Sequence, residues 1–190
     1  MTEHEVLEIL KETGALLSGH FLLSSGRHSD SYCQCARLLR FPDKASAVLS
    51  RVADAVRDLR ITKICGPALG AMLVSYEMGR LLGVESIFTE RNKDGIMELR
   101  RGFTVNADDR ILLVEDAITT GKSTMETAEV LKSFGGEIVA VGCIADRTTK
   151  DAVLPAKLYS AVRLNFMTYE ADACPLCKTE GAPVKPGSRK

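Results

Sequence analysis

The sequence predicts an α/β fold: a central, mainly parallel sheet flanked by helices, with a small flap at the N-terminus. Three observations carry this. A short, mainly apolar run at residues 61–65, a wholly apolar one at 111–114 and a second buried one at 138–144 recur along the chain. Stretches with helical periodicity lie between them and end at glycine. Continuous apolar strands, unlike alternating ones, belong to sheets buried on both faces.

Taken in order, Thr2 and Glu5 have capping-box spacing ahead of Val6, Leu7 and Leu10 on one helical face, and Gly14 stops that helix. Residues 20–35 lack helical spacing; 21–23 and 32–35 read as two short strands around a polar turn at 24–31. Pro42 opens a helix that buries Ala45, Val48, Leu49, Val52 and Val56 and turns Arg51, Asp54 and Arg57 outward. A strand at 61–65, a turn at Gly66 and Pro67, a helix at 71–82 ended by Gly83, and a strand at 86–89 follow. Residues 90–98 read as a polar, charged loop. The run 111–114, a turn, a helix at 123–134 closed by Gly135 and Gly136, and the run 138–144 complete the core. The tail from Ala171 is rich in Pro, Gly and Lys. The expected organisation is one domain over 1–190, with the flap at 1–40, the α/β core at 41–150, and a C-terminal strand and tail at 151–190.

Composition narrows the function. The 190 residues include 25 basic and 25 acidic side chains, with 45% apolar residues. A neutral chain lacks the long-range field of a nucleic-acid or anionic-membrane binder, so any bound anion needs a local site. No run approaches the roughly 20 apolar residues of a membrane span. The N-terminus, with Glu3, Glu5 and Glu8, lacks the order of a signal peptide, and a cytoplasmic location is expected. Six cysteines are too sparse for a disulfide scaffold. Cys174 and Cys177 have half of a zinc-site spacing, but no second pair completes it, since Cys33 and Cys35 are one residue apart; a plain tail turn is expected, with structural zinc and then a redox pair as the alternatives. His4 and His20 read as surface or turn residues, and His28 as part of the flap turn.

Ligands of parallel sheets sit at the carboxyl ends of the strands. There the segment 111–123 (ILLVEDAITTGKS) is the most informative. Gly121, Lys122 and Ser123 resemble the end of a Walker A loop, but the first glycine of that loop falls on Asp116, whose charge repels phosphate. The same residues suit another use. Backbone amides of 119–123 at a helix N-terminus, with the hydroxyls of Thr119, Thr120 and Ser123, make a nest for one phosphate monoester. Glu115 and Asp116 can then accept hydrogen bonds from vicinal hydroxyls and oppose positive charge at an anomeric carbon. The site reads as one for a ribose 5-phosphate. The plainer alternative is an acidic strand end that only caps the next helix.

This segment resembles the phosphoribosyl pyrophosphate signature of the type I phosphoribosyltransferases. Residues 21–29 (FLLSSGRHS) with Tyr32 resemble the N-terminal hood of the orotate phosphoribosyltransferases, 66–70 (GPALG) their pyrophosphate loop, and Asp146-Arg147 their orotate-anchoring position. The blocks come in family order over most of 15–150, and Cys174-Pro-Leu-Cys177 is similar to the tails of some members. The resemblance implies the type I phosphoribosyltransferase fold and transfer of ribose 5-phosphate from phosphoribosyl pyrophosphate to orotate. It implies that Glu115 and Asp116 bind the ribose hydroxyls, that Ala117, Ile118, Thr119, Thr120, Gly121, Lys122 and Ser123 bind the 5′-phosphate, and that Leu69 and Gly70 lie at the pyrophosphate. Ser25, Tyr32, Thr119 and Arg147 fall to orotate, and Arg147 suits its planar carboxylate as a bidentate fork. Arg91 and Lys93, on the loop 90–98 that closes over the neighbouring subunit's site in this family, join Asp116 as the catalytic set. A homodimer and Mg²⁺ bound through substrate oxygens and water are implied as well. Ala68-Leu69 is the candidate for the strained turn of the pyrophosphate loop.

Members often carry lysines where Ser24 and Gly70 stand, and a histidine in the mobile loop; this chain has none of them. Arg91, Lys93 and Arg100 or Arg101 are left to supply positive charge. A purine or uracil phosphoribosyltransferase is the rival enzyme. A nucleic-acid-binding regulator of the same fold lacks support from a neutral chain of this length.

Overall fold

A computed structural model describes residues 1–23 and 25–186. Helix α1 (Glu3–Glu12) begins at the expected capping box, with the Glu5 N–H donating to Thr2 Oγ1 and the Thr2 N–H to Glu5 Oε2 at 2.6 Å. Val6 and Leu10 are buried, and Gly14 at φ +68° turns the chain away. The flap is longer in strand and shorter in turn than the residues suggested. β1 (Leu16–Leu22) pairs antiparallel with β2 (His28–Cys33), Leu22 standing opposite His28. Ser29, Asp30 and Ser31, read as turn, lie in β2 because the ladder outweighs their weak strand preference. Ser29 is fully buried and donates its hydroxyl to Ser31 O at 2.8 Å.

A one-turn helix α2 (Ala36–Leu39), which no pattern announced, leads into α3 (Pro42–Val56). The apolar face of α3 is buried as its spacing required, and Asp54 and Arg57 pair outward at 3.0 Å. Arg51 instead lies half-buried and donates Nε–H to Ala161 O at 3.1 Å.

The core alternates β3 (Lys63–Pro67), α4 (Gly70–Leu82), β4 (Glu85–Arg91), β5 (Met97–Leu99), β6 (Arg110–Ile118), α5 (Lys122–Ser133), β7 (Glu137–Asp146) and β8 (Leu158–Arg163). The sheet order is β5-β4-β3-β6-β7-β8, and every pairing is parallel except that of β5. Strand β6 explains the apolar runs. Its Leu112 and Val114 join α3 and α4 in one core, and Ile111 and Leu113 join α5 in the other. Both faces of the strand are covered, so no position can be polar until the strand end.

Two expectations are corrected in this region. Gly66 and Pro67 do not form a turn; they continue β3, Pro67 pairing with Thr89. A Cβ on Gly66 would lie 2.9 Å from Val114 O and 2.8 Å from the Ala71 Cβ, so the close approach of α4 requires glycine. Residues 90–98 are not an open loop. Glu90 pairs with Glu98 and Arg91 with Met97, and Asn92 Oδ1 accepts from the Asp94 and Ile96 N–H groups at 2.9 and 3.0 Å. The turn chemistry of Asn92, Asp94 and Gly95 and the burial of Met97 close a hairpin there.

The chain then returns to the flap. β9 (Thr168–Tyr169) pairs with β2, making the three-stranded sheet β1-β2-β9, and a short helix α6 (Leu176–Thr179) follows. The Leu22 N–H donates to Val184 O and the Val184 N–H to His20 O, each at 2.8 Å. Among the described residues no helix is long and apolar enough to cross a membrane.

Candidate active site

Strand β6 ends between the N-termini of α4 and α5, and its alternation divides the acid pair. Glu115 follows Ile111 and Leu113 to the α5 side, where Ser123 Oγ–H donates to its Oε1 at 2.5 Å. Glu115 is 7% exposed. Burial pushes its carboxyl up to about 7 against the pull of the Ser123 hydrogen bond, and the charge of Asp116 adds to the rise. Asp116 follows Val114 to the α4 side. A Cβ on Gly70, the first residue of α4, would stand 3.1 Å from Asp116 Oδ2. The Ala117 N–H donates to Asp116 Oδ1 at 2.8 Å, and the buried Cys35 thiol to its carbonyl at 3.4 Å. The acids therefore do not face one group together from one side; they straddle the strand end.

Ala117, Ile118, Thr119, Thr120, Gly121, Lys122 and Ser123 line a cleft of about 300 Å³ together with Thr124 and Arg91. Gly121 has φ +78°, and a Cβ there would stand 2.4 Å from Val153 O, so both backbone and packing demand glycine. The Ser123 hydroxyl, assigned to the phosphate nest from its spacing, is committed to Glu115 in the free protein. Thr124 Oγ1 is buried in the cleft wall with no hydrogen-bond partner among the described residues.

Of the two hairpin residues, Arg91 reaches the cleft. Its guanidinium is ion-paired with Glu126 of α5 and donates to Gly95 O at 2.6 Å. Lys93 is exposed in the hairpin turn, outside the cleft lining. Arg101 does not offer free charge: it grips Glu90 through Nε and Nη2 at 2.8 and 2.9 Å, while Arg100 lies 3.9 Å from Glu90 and 4.0 Å from Glu98.

The turn before α4 contains a cis peptide bond, Ala68–Leu69, and Leu69 is 83% exposed at its tip. One strand over, Ile118 pairs with Asp146, and the Arg147 N–H donates to Ile118 O at 2.9 Å, which fixes Arg147 beside the 119–123 turn. Its guanidinium lies 4.6 Å over the Phe166 ring. Asp146 accepts from Arg163 Nη1 at 2.5 Å and from the Thr148 N–H at 2.8 Å, which leaves Arg147 as the open member of that pair. Ser25 sits exposed in the flap turn, its Oγ accepting from the Arg27 N–H at 3.4 Å, and Tyr32 packs on Phe21 with 5.8 Å between ring centroids. Neither lines the cleft. Ser24 lies outside the described residues. His20 and His28 are not surface residues; both are buried in the flap.

A curated protein from Caldicellulosiruptor saccharolyticus, named orotate phosphoribosyltransferase, is 49% identical to this chain over 191 residues, covering 100% of this chain and 99% of its own length. The chain belongs to the orotate phosphoribosyltransferase family. The orotate phosphoribosyltransferase from Aeropyrum pernix superposes with a TM-score of 0.74 at 26% identity, over 84% of this chain and 93% of its own. That from Mycobacterium tuberculosis, solved with inorganic phosphate, gives 0.69 at 25% identity, over 85% and 95%. No protein-family model matches the chain. In this orotate phosphoribosyltransferase family member, the fold is the type I phosphoribosyltransferase fold and the chain is a pentosyltransferase enzyme. Sequence reasoning missed Phe166 as the platform under Arg147 and Glu126 as the partner of Arg91. Each is far along the chain from its partner and carries no local pattern. Gly70 was named only for its loop, though it is also the reason the Asp116 carboxylate can lie against α4.

Proposed function

We propose that this enzyme transfers ribose 5-phosphate from phosphoribosyl pyrophosphate to orotate, releasing pyrophosphate and giving orotidine 5′-monophosphate for pyrimidine nucleotide synthesis. The observation that carries the reading is the meeting of two helix N-termini at the end of β6, α4 against Asp116 and α5 against Glu115, with Arg147 held one strand away. Each N-terminus favours an anion. The 5′-phosphate falls to the amides and hydroxyls of 119–123, and pyrophosphate to the backbone at Leu69 and Gly70. That leaves the ribose over the end of β6, where Glu115 and Asp116 accept from its hydroxyls. Asp116 opposes the positive charge that develops at the anomeric carbon as the pyrophosphate oxygen departs and orotate nitrogen adds from the opposite face. Thr119 and Arg147 hold the base, Arg147 by its carboxylate, and Ser25 and Tyr32 of the hood cover it. Arg91 and Lys93 compensate the charge of the leaving pyrophosphate. No covalent intermediate with the protein is needed; positioning and charge stabilisation suffice.

The donor set in the cleft suits Mg²⁺ bound mainly by substrate. Two carboxylates on opposite sides of β6, one buried against Ser123, do not make a protein cage, whereas Mg²⁺ retains waters and takes phosphate oxygens readily. When bound it would neutralise pyrophosphate charge, with Asp116 and Glu115 holding it through water and ribose hydroxyls. The proposed assembly is a homodimer in the cytoplasm, each hairpin 90–98 serving the neighbouring site; Leu69, Leu73 and Tyr76 support it as an exposed apolar stripe along α4. The whole chain, 1–190, acts as one domain.

The test is the fall in ultraviolet absorbance of orotate with purified protein, phosphoribosyl pyrophosphate and Mg²⁺, with hypoxanthine, adenine and uracil assayed alongside by product chromatography. Turnover of orotate alone is expected. Reaction with another base would overturn the roles of Arg147 and the hood, and reaction with none would overturn the activity.

A further inference from the structure

Away from the cleft, four metal-binding side chains from opposite ends of the chain converge. His20 of β1 and His28 of β2 meet Cys174 and Cys177 of the tail, and the four ligand atoms all lie within 4.8 Å of one another. Cys177 Sγ is 3.4 Å from His28 Nδ1 and 3.9 Å from His20 Nε2, and Cys174 Sγ is 3.5 Å from His20 Nε2. Ligand atoms at the usual Zn–N and Zn–S lengths in a tetrahedron stand roughly 3.3–3.8 Å apart. The nitrogen–sulfur distances of 3.4 and 3.5 Å already match, and the third, at 3.9 Å, lies just above the range. The His20 Nε2 to His28 Nδ1 distance is 2.8 Å, and opening it by about half an ångström brings it into the same range.

The surroundings distinguish this cluster from a chance contact. His20 Nδ1 is 2.8 Å from Gly181 O. A carbonyl only accepts, so the proton of the neutral ring sits on Nδ1 and the Nε2 lone pair points into the cluster. Such a carbonyl partner on the far ring nitrogen is the usual support of a metal-bound histidine. Three of the four residues are buried, and Cys177, the exposed one, leaves a route from solvent. Cys174-Pro-Leu-Cys177 has the two-residue gap of a zinc knuckle, and the second half of the ligand set comes from the paired hood strands, which no linear spacing could reveal.

The tail also needs such an anchor. Among the described residues after Leu164, Cys174 is the only one that is buried. Apolar packing therefore contributes little to holding this stretch against the hood, and the backbone pairs at Val184 and β9 are few.

We propose that His20, His28, Cys174 and Cys177 bind one zinc ion in a closed structural site that fastens the C-terminal tail to the hood. All four positions are filled by protein, so the ion has no open coordination position and takes no part in catalysis. It holds β9 and the tail against β2, the strand that carries Tyr32.

The full-length protein, expressed with zinc and passed through gel filtration, should contain about one equivalent of zinc per chain by elemental analysis. Replacing that metal by Co²⁺ should give the d–d and thiolate charge-transfer absorption of a tetrahedral S₂N₂ site. Cys177→Ser and His28→Gln should each lose the metal, whereas Cys65→Ser, altered in the core, should keep it. Trypsin cleavage after Lys178 should become at least about tenfold faster once a chelator has removed the ion, as expected of a segment that opens locally. Circular dichroism separates metal loss from unfolding in the variants. Absence of stoichiometric zinc, a Cys174–Cys177 disulfide in the freshly isolated protein, or undiminished binding by folded Cys177→Ser would overturn the proposal. None of these readouts depends on which base the enzyme uses.

Discussion

Ser123 Oγ donates to Glu115 Oε1 at 2.5 Å, joining the first turn of α5 to the end of β6 where the ribose phosphate is expected. Burial, with a smaller push from the charge of Asp116, makes Glu115 a titrating group near neutrality in spite of that bond, with its carboxyl at about 7 against an ordinary value of 4.5.

That shift makes the stability of the ligand-free enzyme depend on pH. The folded state holds the Glu115 proton more tightly than the unfolded chain does, so there is no cost below about pH 4.5. The cost grows as pH rises toward 7 and then levels at about 3 kcal/mol. Glu115→Gln should remove this component. Urea denaturation at pH 5 and pH 8 should show a smaller loss for the variant than for the wild type, and equal losses would refute the assignment.

Arg91→Ala and Lys93→Ala should each lower turnover, by about 10- to 100-fold, with little change in melting temperature, because the hairpin turn buries little. If the hairpin serves the partner's site, mixing the inactive Asp116→Asn protein with Lys93→Ala should restore about a quarter of wild-type activity, from the one intact site in each mixed dimer. No recovery after subunit exchange would show that the hairpin acts within its own subunit.

Thr119 and Thr124 should differ in kind. Thr119→Val is expected to raise KM for phosphoribosyl pyrophosphate or lower kcat. Thr124→Val removes a buried hydroxyl that has no partner among the described residues, and should stabilise the protein by about 1 kcal/mol with the smaller effect on catalysis. The reverse ranking in steady-state kinetics would mean that the phosphate nest is drawn one turn too early.

Gly121→Ala should destabilise by about 2 kcal/mol or more, since the new methyl meets the Val153 carbonyl and the residue sits at φ +78°. Gly70→Ala should fold nearly normally yet bind substrate worse, because its methyl presses on the Asp116 carboxylate. Thermal melts and KM values distinguish the two outcomes.

The sequence by itself determined the alternation of buried strands and helices, the α3 face of Val48, Leu49 and Val52, and the run of acid pair, hydroxyl-rich turn and helix start at residues 115–123. Those features are local: a strand covered on both faces is apolar over most of its length, and an anion nest would be built from consecutive amides at one helix start. The Asn92–Gly95 turn was legible too, yet its charges made the hairpin 90–98 read as a loop. Only the tertiary structure decided that Glu115 and Asp116 part to opposite sides of β6, that Arg147 rests on Phe166, and that Arg101 is tied to Glu90. It alone brought His20 and His28 to Cys174 and Cys177, across more than 140 residues of chain. Such pairings depend on strand register and on where the tail returns, and these are fixed by the packing of the whole chain and not by any neighbouring residues.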